Sequence, residues 1–225
     1  MGRIERLLIV AGPTAAGKST LLDRLAADPL FFEQKLGIEN LREWPRIGAN
    51  RLVAPSDARF DGLIVHYDFL WAPGHSPTPV PLTARAGSLV REAREVCVVT
   101  LWTPAERLLR QLIKGKLRAA APPGMGQEAK AALFRLLPNA AIRCLAAAAP
   151  LGRLNRCLPA RQLLHHLSLL PIYSRPERVA AVYRRWFEIC DADMSVKHHA
   201  VVECDKAVAF YSRDEWEARS QVRPP

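Results

Sequence analysis

The sequence predicts an α/β fold: a three-layer arrangement of a mostly parallel sheet with helices on both faces, plus a helical insert. Three observations carry that expectation. Short apolar runs of strand character recur at Leu7–Ala11, Leu63–Tyr67, Val96–Leu101 and Ala200–Cys204. Stretches of helical periodicity, several with start signals, separate those runs. Such alternation builds parallel strand pairs joined by crossover helices. Finally, no internal repeat or low-complexity linker divides the 225 residues, so one domain is expected over 1–225, with an insert or lid at 119–175.

In chain order, Leu7–Ala11 is a buried strand and Gly17–Ala27 a helix that ends at Asp28-Pro29. Residues 30–60 are mixed, with a helix around Gly37–Glu43 and no clear strand. Leu63–Tyr67 is the second strand and ends in Asp68. Pro73, Pro77, Pro79 and Pro81 then mark Trp71–Leu82 as loop. A helix over Gly87–Glu95 leads into the third strand, Val96–Leu101. Three S/T-x-x-E patterns open helices at Thr103–Glu106, Ser174–Glu177 and Ser212–Glu215, through reciprocal side-chain capping of free amides. The first helix runs to Arg118 and stops at Pro122-Pro123-Gly124. Residues 127–168 are rich in Ala and Leu, broken by Pro138, Pro150 and Pro159, and read as all-helical. The Ser174 helix carries Val179, Val182, Tyr183, Trp186 and Cys190 on one face. A last strand, Ala200–Cys204, and a short helix at Asp214–Arg219 close the domain.

Composition narrows the classes. Hydrophobic residues make up 49% and charged residues 24%, which is ordinary for a globular protein and argues against disorder. Two arginines precede the first apolar run, but that run is too short for a signal-peptide core and leads into a glycine-rich motif. No apolar stretch reaches membrane-spanning length; the longest, near Ala140–Leu151, is interrupted by Arg143. The five cysteines are scattered without a C-x-x-C pair, which indicates reduced thiols rather than a zinc site or disulfide framework. A cytoplasmic protein without a membrane partner is expected. The net charge of +10 draws polyanions, and arginine supplies 25 of the 32 basic residues. Genomic base composition accounts for that bias equally well.

The chemistry is concentrated in Gly12-Pro13-Thr14-Ala15-Ala16-Gly17-Lys18-Ser19-Thr20, a full match to G-x-x-x-x-G-K-[ST]. The glycines let successive N–H groups turn into one concavity, an anion nest, and the helix starting near Gly17 adds its positive end. In that pattern Lys18 reaches the β- and γ-phosphates of a nucleoside triphosphate and the Ser19 hydroxyl ligates Mg²⁺. An apolar strand before the loop and an amphipathic helix after it supply the context the motif needs, so the expected fold is of the P-loop NTPase type. Such a site also wants an acid at the end of a neighbouring strand, acting on Mg²⁺ directly or through water. Asp68 has that position; its rival Asp205, after Val201–Cys204, lies close to the C-terminus. A turn or helix-cap role is the bland reading of Asp68.

Arg107, Arg110, Lys114 and Arg118 fall within an arc of roughly 80° on a helix, opposite Leu108, Leu109, Leu112 and Ile113. Such a stripe can neutralise charge on a transferring phosphoryl group, or simply face solvent. Leu8–Leu25 resembles the opening of guanylate kinase and of other P-loop kinases of nucleotides and small metabolites. Gly62–Asp68 is similar to that group's second strand with its terminal acid, and Val96–Arg118 to the strand, capped helix and basic lid entry of adenylate-kinase-like enzymes. The final strand with Ser212–Trp216 resembles the group's last strand and helix. Together these segments cover roughly half the chain, and only the P-loop is specific. Residues 30–60 lack a guanylate-kinase nucleobase-recognition run, no clean lid is present, and the 127–190 block has no counterpart. The resemblance implies nucleotide binding by Gly12, Pro13, Thr14, Ala15, Ala16, Gly17, Lys18, Ser19 and Thr20. It further implies Mg²⁺ or acceptor support from Asp68, and a lid arginine at Arg107 or Arg110.

The functional expectation is therefore transfer of a phosphoryl group from ATP–Mg²⁺ to a small-molecule acceptor that the sequence does not identify. A regulatory or partner-driving ATPase is the first alternative; absence of D-x-x-G and N-K-x-D elements weighs against a GTPase. A nucleic-acid end-processing protein is the second, but the basic residues lack the interleaved aromatics of a single-strand platform. His66, two residues before Asp68, reads as a core histidine before an acceptor ligand. The adjacent pairs His165-His166 and His198-His199 diverge, which is poor geometry for one metal ion. Tyr183 and Trp186 read as core residues, and Arg42, Arg46 and Arg51 as unspecific basic positions near an acceptor region.

Overall fold

The computed structural model describes residues 3–48, 59–70, 78–112, 160–204 and 208–222. Its sheet has six strands in the order β2-β3-β1-β4-β5-β6. They are β1 (Ile4–Gly12), β2 (Arg46–Ile47), β3 (Phe60–Asp68), β4 (Ala93–Trp102), β5 (Val196–Cys204) and β6 (Val208–Ser212). The chain is thus α/β with a mostly parallel sheet: β1 to β5 run parallel, and β6 returns antiparallel along β5. β1 lies centrally because it is apolar on both faces, with Leu7, Leu8, Ile9 and Ala11 fully inaccessible. Register aligns Gly12 with Asp68 and Ala11 with Thr100, so β1, β3 and β4 finish at a common carboxyl edge. Open α/β sheets bind ligands at that edge.

Helices cover both faces. They are α1 (Lys18–Ala27), α2 (Pro29–Leu36), α3 (Leu82–Arg85), α4 (Gly87–Glu92), α5 (Ala105–Gln111), α6 (Ala160–Tyr173), α7 (Pro176–Ala192) and α8 (Arg213–Val222). On one face the Trp186 indole of α7 donates to the Thr100 hydroxyl at 2.8 Å and stacks on Phe69 at 4.7 Å. Phe210 of β6 faces the other side, where its ring meets Phe31 and Phe32 of α2 edge-on at 5.9 and 5.5 Å. Tyr183 and Trp186 are core residues, as the sequence indicated. One glycine is set by close approach: a Cβ on Gly62 of β3 would sit 1.9 Å from the Trp44 ring, so only glycine lets that indole lie on the strand.

Several local expectations are corrected. The expected helix at Gly37–Glu43 is a 3₁₀ turn at Leu41–Glu43, while the helix proper is α2. Asp28 does not simply end α1; its side chain accepts from the Phe31 amide and caps α2, with Pro29 at the first helical position. A two-residue strand, β2, was not anticipated in residues 30–60. The helix expected at Gly87–Glu95 is α4, which stops at Glu92 because β4 begins at Ala93, and the short α3 before it was not anticipated. Of the three capping boxes only Ser212–Glu215 forms, with Glu215 accepting from the Ser212 amide at 2.8 Å and Ser212 accepting from the Glu215 amide at 3.2 Å. Thr103 and Ser174 lie before their helices, whose N-caps are Pro104 and Arg175. Thr103 spends its hydroxyl elsewhere, as described below.

Cys97 and Cys190 are buried thiols and Cys204 a half-buried one; burial, followed by the nearby Glu95, pushes Cys97 up to about 11, which makes it an inert core residue. Cys144 and Cys157 lie outside the described residues, as do Arg51, Ile113, Lys114, Arg118, Asp205, the 71–77 part of the proline-rich loop and the 113–159 part of the expected insert. Among the described residues no helix is long and apolar enough to cross a membrane.

Candidate functional site

The site forms where β1 stops and α1 starts. Ala15 (φ 67°) and Gly17 (φ 97°) are left-handed on either side of Ala16, whose amide closes a turn onto the Pro13 carbonyl at 3.1 Å. Backbone alternation of this kind turns N–H groups into a shared concavity. Gly17 pays no steric penalty for its conformation, whereas Ala15 holds a left-handed geometry that costs roughly 1 kcal/mol. The surroundings over-determine that geometry. Five carbonyl oxygens of the turn accept hydrogen bonds: Gly12 and Pro13 from the Lys18 ammonium at 2.7 Å each, Thr14 from the Tyr173 hydroxyl at 2.7 Å, Ala16 from the Thr103 hydroxyl at 3.0 Å, and Gly17 from the Leu21 amide at 3.0 Å. With these five acceptors held by protein donors, the loop presents a surface of positive character, reinforced by the first turn of α1.

Lys18 is 4% exposed, unusual for a lysine. Its ammonium is compensated by the two carbonyls above and by Asp68 Oδ2 at 3.6 Å. Asp68 reaches it because Asp68 is register partner of Gly12. The Asp68 carboxylate divides its labour: Oδ1 accepts from the Leu70 amide at 3.1 Å, an Asx turn, and Oδ2 accepts the Thr14 hydroxyl at 2.6 Å. The turn reading of this acid therefore holds on one oxygen, and the other oxygen is a partner of the loop. Ser19 and Thr20 are exposed on the first turn of α1. The hydroxyl of Ser19 and the carboxylate of Asp68 are hard oxygen donors, a sparse set of the kind that suits Mg²⁺, which keeps waters and substrate phosphates as its remaining ligands. Among the described residues no group of three or more His, Cys, Asp or Glu side chains gathers into a self-sufficient cage for a softer metal.

Four further residues complete the site. The buried His165 on α6 has Nε2 3.1 Å from the Thr14 hydroxyl. Its pKa is lowered by burial, against the pull of the Asp68 charge and with the help of Arg85 and Lys18. Tyr173, at the other end of α6, is fully enclosed, and burial raises its phenol well above the ordinary value, so it acts as a donor. Thr103, at the end of β4, donates to Ala16 and its own amide donates to the Tyr183 hydroxyl at 3.0 Å. Arg85 of α3 donates to the Asp68 carbonyl at 2.8 Å and lies over the Tyr67 ring.

The structure thus brings together Gly12 to Thr20 and Asp68. It places the two arginines of the stripe on α5: Arg107 is half-buried, its charge lowering the pKa of a Cys204 thiol that burial raises more strongly, and Arg110 is exposed. Arg46 donates to the Leu22 carbonyl at 3.2 Å, a structural contact on α1, and Arg42 is exposed. His66 is half-buried. His165, Tyr173, Thr103 and Arg85 were missed as site residues. Only Thr103 carried a local signal, and it was spent on the capping-box reading; the others meet the loop through contacts of long sequence separation. No protein-family model matches the chain, and no curated protein matches it.

Proposed function

We propose that the chain is a P-loop phosphotransferase, which binds ATP with Mg²⁺ on the 12–20 loop and passes the γ-phosphoryl group to a small-molecule acceptor. The single observation that supports the reading is the buried Lys18 ammonium at the mouth of a loop with alternating backbone handedness, 3.6 Å from the acid that ends the adjacent strand. A lysine is kept this dry only where paired charge or substrate compensates it.

In this reading the turn's amides hold the β- and γ-phosphates, and Lys18 exchanges its carbonyl partners for phosphate oxygens. Asp68 orients the acceptor hydroxyl, and the Thr14 hydroxyl keeps the Asp68 carboxylate aimed. Ser19 and Asp68 would hold Mg²⁺, which when bound would supply neutralisation of charge on the transferring group. Arg107 or Arg110 is the candidate for the remaining charge compensation. Because the transition state is loose, positioning and electrostatics carry nearly all the catalysis.

The test is transfer of label from γ-labelled ATP in the presence of Mg²⁺ and pooled small metabolites. Label appearing on a metabolite is the expected result. Release of phosphate that no metabolite accelerates would replace the transferase by an ATPase, and binding without either outcome would remove the catalytic half of the proposal.

A further inference from the structure

The Thr14 hydroxyl has one proton and two close neighbours, Asp68 Oδ2 at 2.6 Å and His165 Nε2 at 3.1 Å. A carboxylate can only accept, so the proton of Thr14 points to Asp68. The oxygen of Thr14 is then an acceptor toward the ring, and the imidazole must present Nε2–H. The opposite tautomer would set two lone pairs against each other in a buried site, at a cost comparable to a lost hydrogen bond. A protonated ring is not required for this: burial favours the neutral imidazole, with Arg85 and Lys18 acting in the same direction and Asp68 against them.

We infer that His165 is a positioning residue for Asp68, acting through Thr14: its Nε2–H fixes the direction of the Thr14 hydroxyl, which in turn fixes the carboxylate beside Lys18. The inference deepens the phosphotransferase reading and rests on it for its consequence, but not for its geometry. Tyr173, on the same helix, holds the Thr14 carbonyl at 2.7 Å, so α6 grips this one residue at both its side chain and its backbone. Asp68 is left with a defined division of oxygens, Oδ1 toward Leu70 and Oδ2 toward Thr14 and Lys18. Loss of the donor at 165 leaves the Thr14 hydroxyl held by Asp68 without a second partner, and the carboxylate is less firmly oriented without losing its charge. The effect falls on metal-dependent steps, because the loop's grip on phosphate uses backbone amides and Lys18 rather than Asp68.

Two measurements test this on the full chain. The first is the ring ¹⁵N spectrum of nucleotide-free protein near pH 7.5, with the His165 signals assigned by their loss in His165→Gln. The Nε2–H tautomer is expected; an Nδ1–H ring overturns the inference whether or not the protein binds ATP. The second is the Mg²⁺ concentration that half-saturates binding of a fluorescent ATP analogue. His165→Leu should raise it by about tenfold or more, the usual effect of removing an outer-sphere partner. His165→Gln, whose amide keeps a donor, should stay within about threefold of the parent. Analogue binding in EDTA should be the same in all three proteins. Equal Mg²⁺ requirements for the Leu variant and the parent, or a Gln variant as impaired as Leu, would overturn the role. Failure of the parent to bind the analogue at all, with the expected tautomer present, would instead count against the nucleotide reading.

Discussion

The Tyr173 hydroxyl donates to the Thr14 carbonyl at 2.7 Å, joining residues 159 positions apart in the chain. The contact is buried on both sides, and it holds a residue whose side chain also contacts Asp68 and His165. Tyr173→Phe leaves that carbonyl without its donor while keeping the ring's packing. Chemical unfolding should show a loss of about 1–3 kcal/mol. Amide exchange in the 12–20 loop should quicken at the same time; a stability equal to the parent's would mean the bond contributes nothing.

Gly62 and Trp44 form a second dependence that is easily probed. A methyl group at Gly62 would overlap the indole, at 1.9 Å from its nearest atom. Gly62→Ala should therefore destabilise by about 1–3 kcal/mol or more, the range for overpacking. Trp44→Ala opens space for the new methyl, so the double variant should be less destabilised than the sum of the two single ones. Additive losses would show that the indole is not what excludes a side chain there.

Acid should weaken the fold through the half-buried His199 and the buried His165. Burial, with Arg213 adding to it, lowers His199 to about 4, and burial lowers His165 in the same direction. Each unfolded imidazole takes up a proton near pH 6.5 while the folded ring stays neutral. The unfolded state therefore binds more protons between about pH 6.5 and 4, so this contribution is intact above that window and is lost as pH falls through it. Urea midpoints at pH 7.5 and 4.5 should differ accordingly, and His199→Leu should reduce the difference. A midpoint that His199→Leu leaves equally pH-dependent would assign the acid sensitivity elsewhere.

Arg107 offers a test of the basic stripe. If its charge compensates the transferring group, Arg107→Ala should lower kcat on the order of a hundredfold, with ATP affinity within about threefold of the parent. Arg110→Ala is the companion measurement, since Arg110 lies exposed on the same helix. Unchanged turnover in both variants would leave α5 as a solvated face.

The parts of this fold legible in the sequence were those dictated locally. The strands of the sheet's centre are apolar on both faces, so β1, β3 and β4 stood out as continuous runs, and the glycine spacing of the loop announced its turn. The two-residue β2 is too short to give a period, and β6, with Val208, Phe210 and Tyr211 all half-buried, has no clear alternation. Thr103 matched a capping pattern, yet its hydroxyl found the Ala16 carbonyl, a tertiary partner that a sequence window does not contain. His165 and Tyr173 reach the loop from a helix that neighbours it only in three dimensions. Asp68, by contrast, was legible as a strand-end acid, since strand pairing sets its position opposite Gly12.

The central claim is that the turn around Lys18 is an anion seat whose ammonium completes it. Equilibrium binding of labelled ATP with Mg²⁺ to the parent and to Lys18→Ala, with circular dichroism recorded on both, tests it most directly. Saturable binding by the parent and a loss of at least about a hundredfold in the variant are expected, with the helical and strand signal preserved. Equal affinity of the two folded proteins would contradict it.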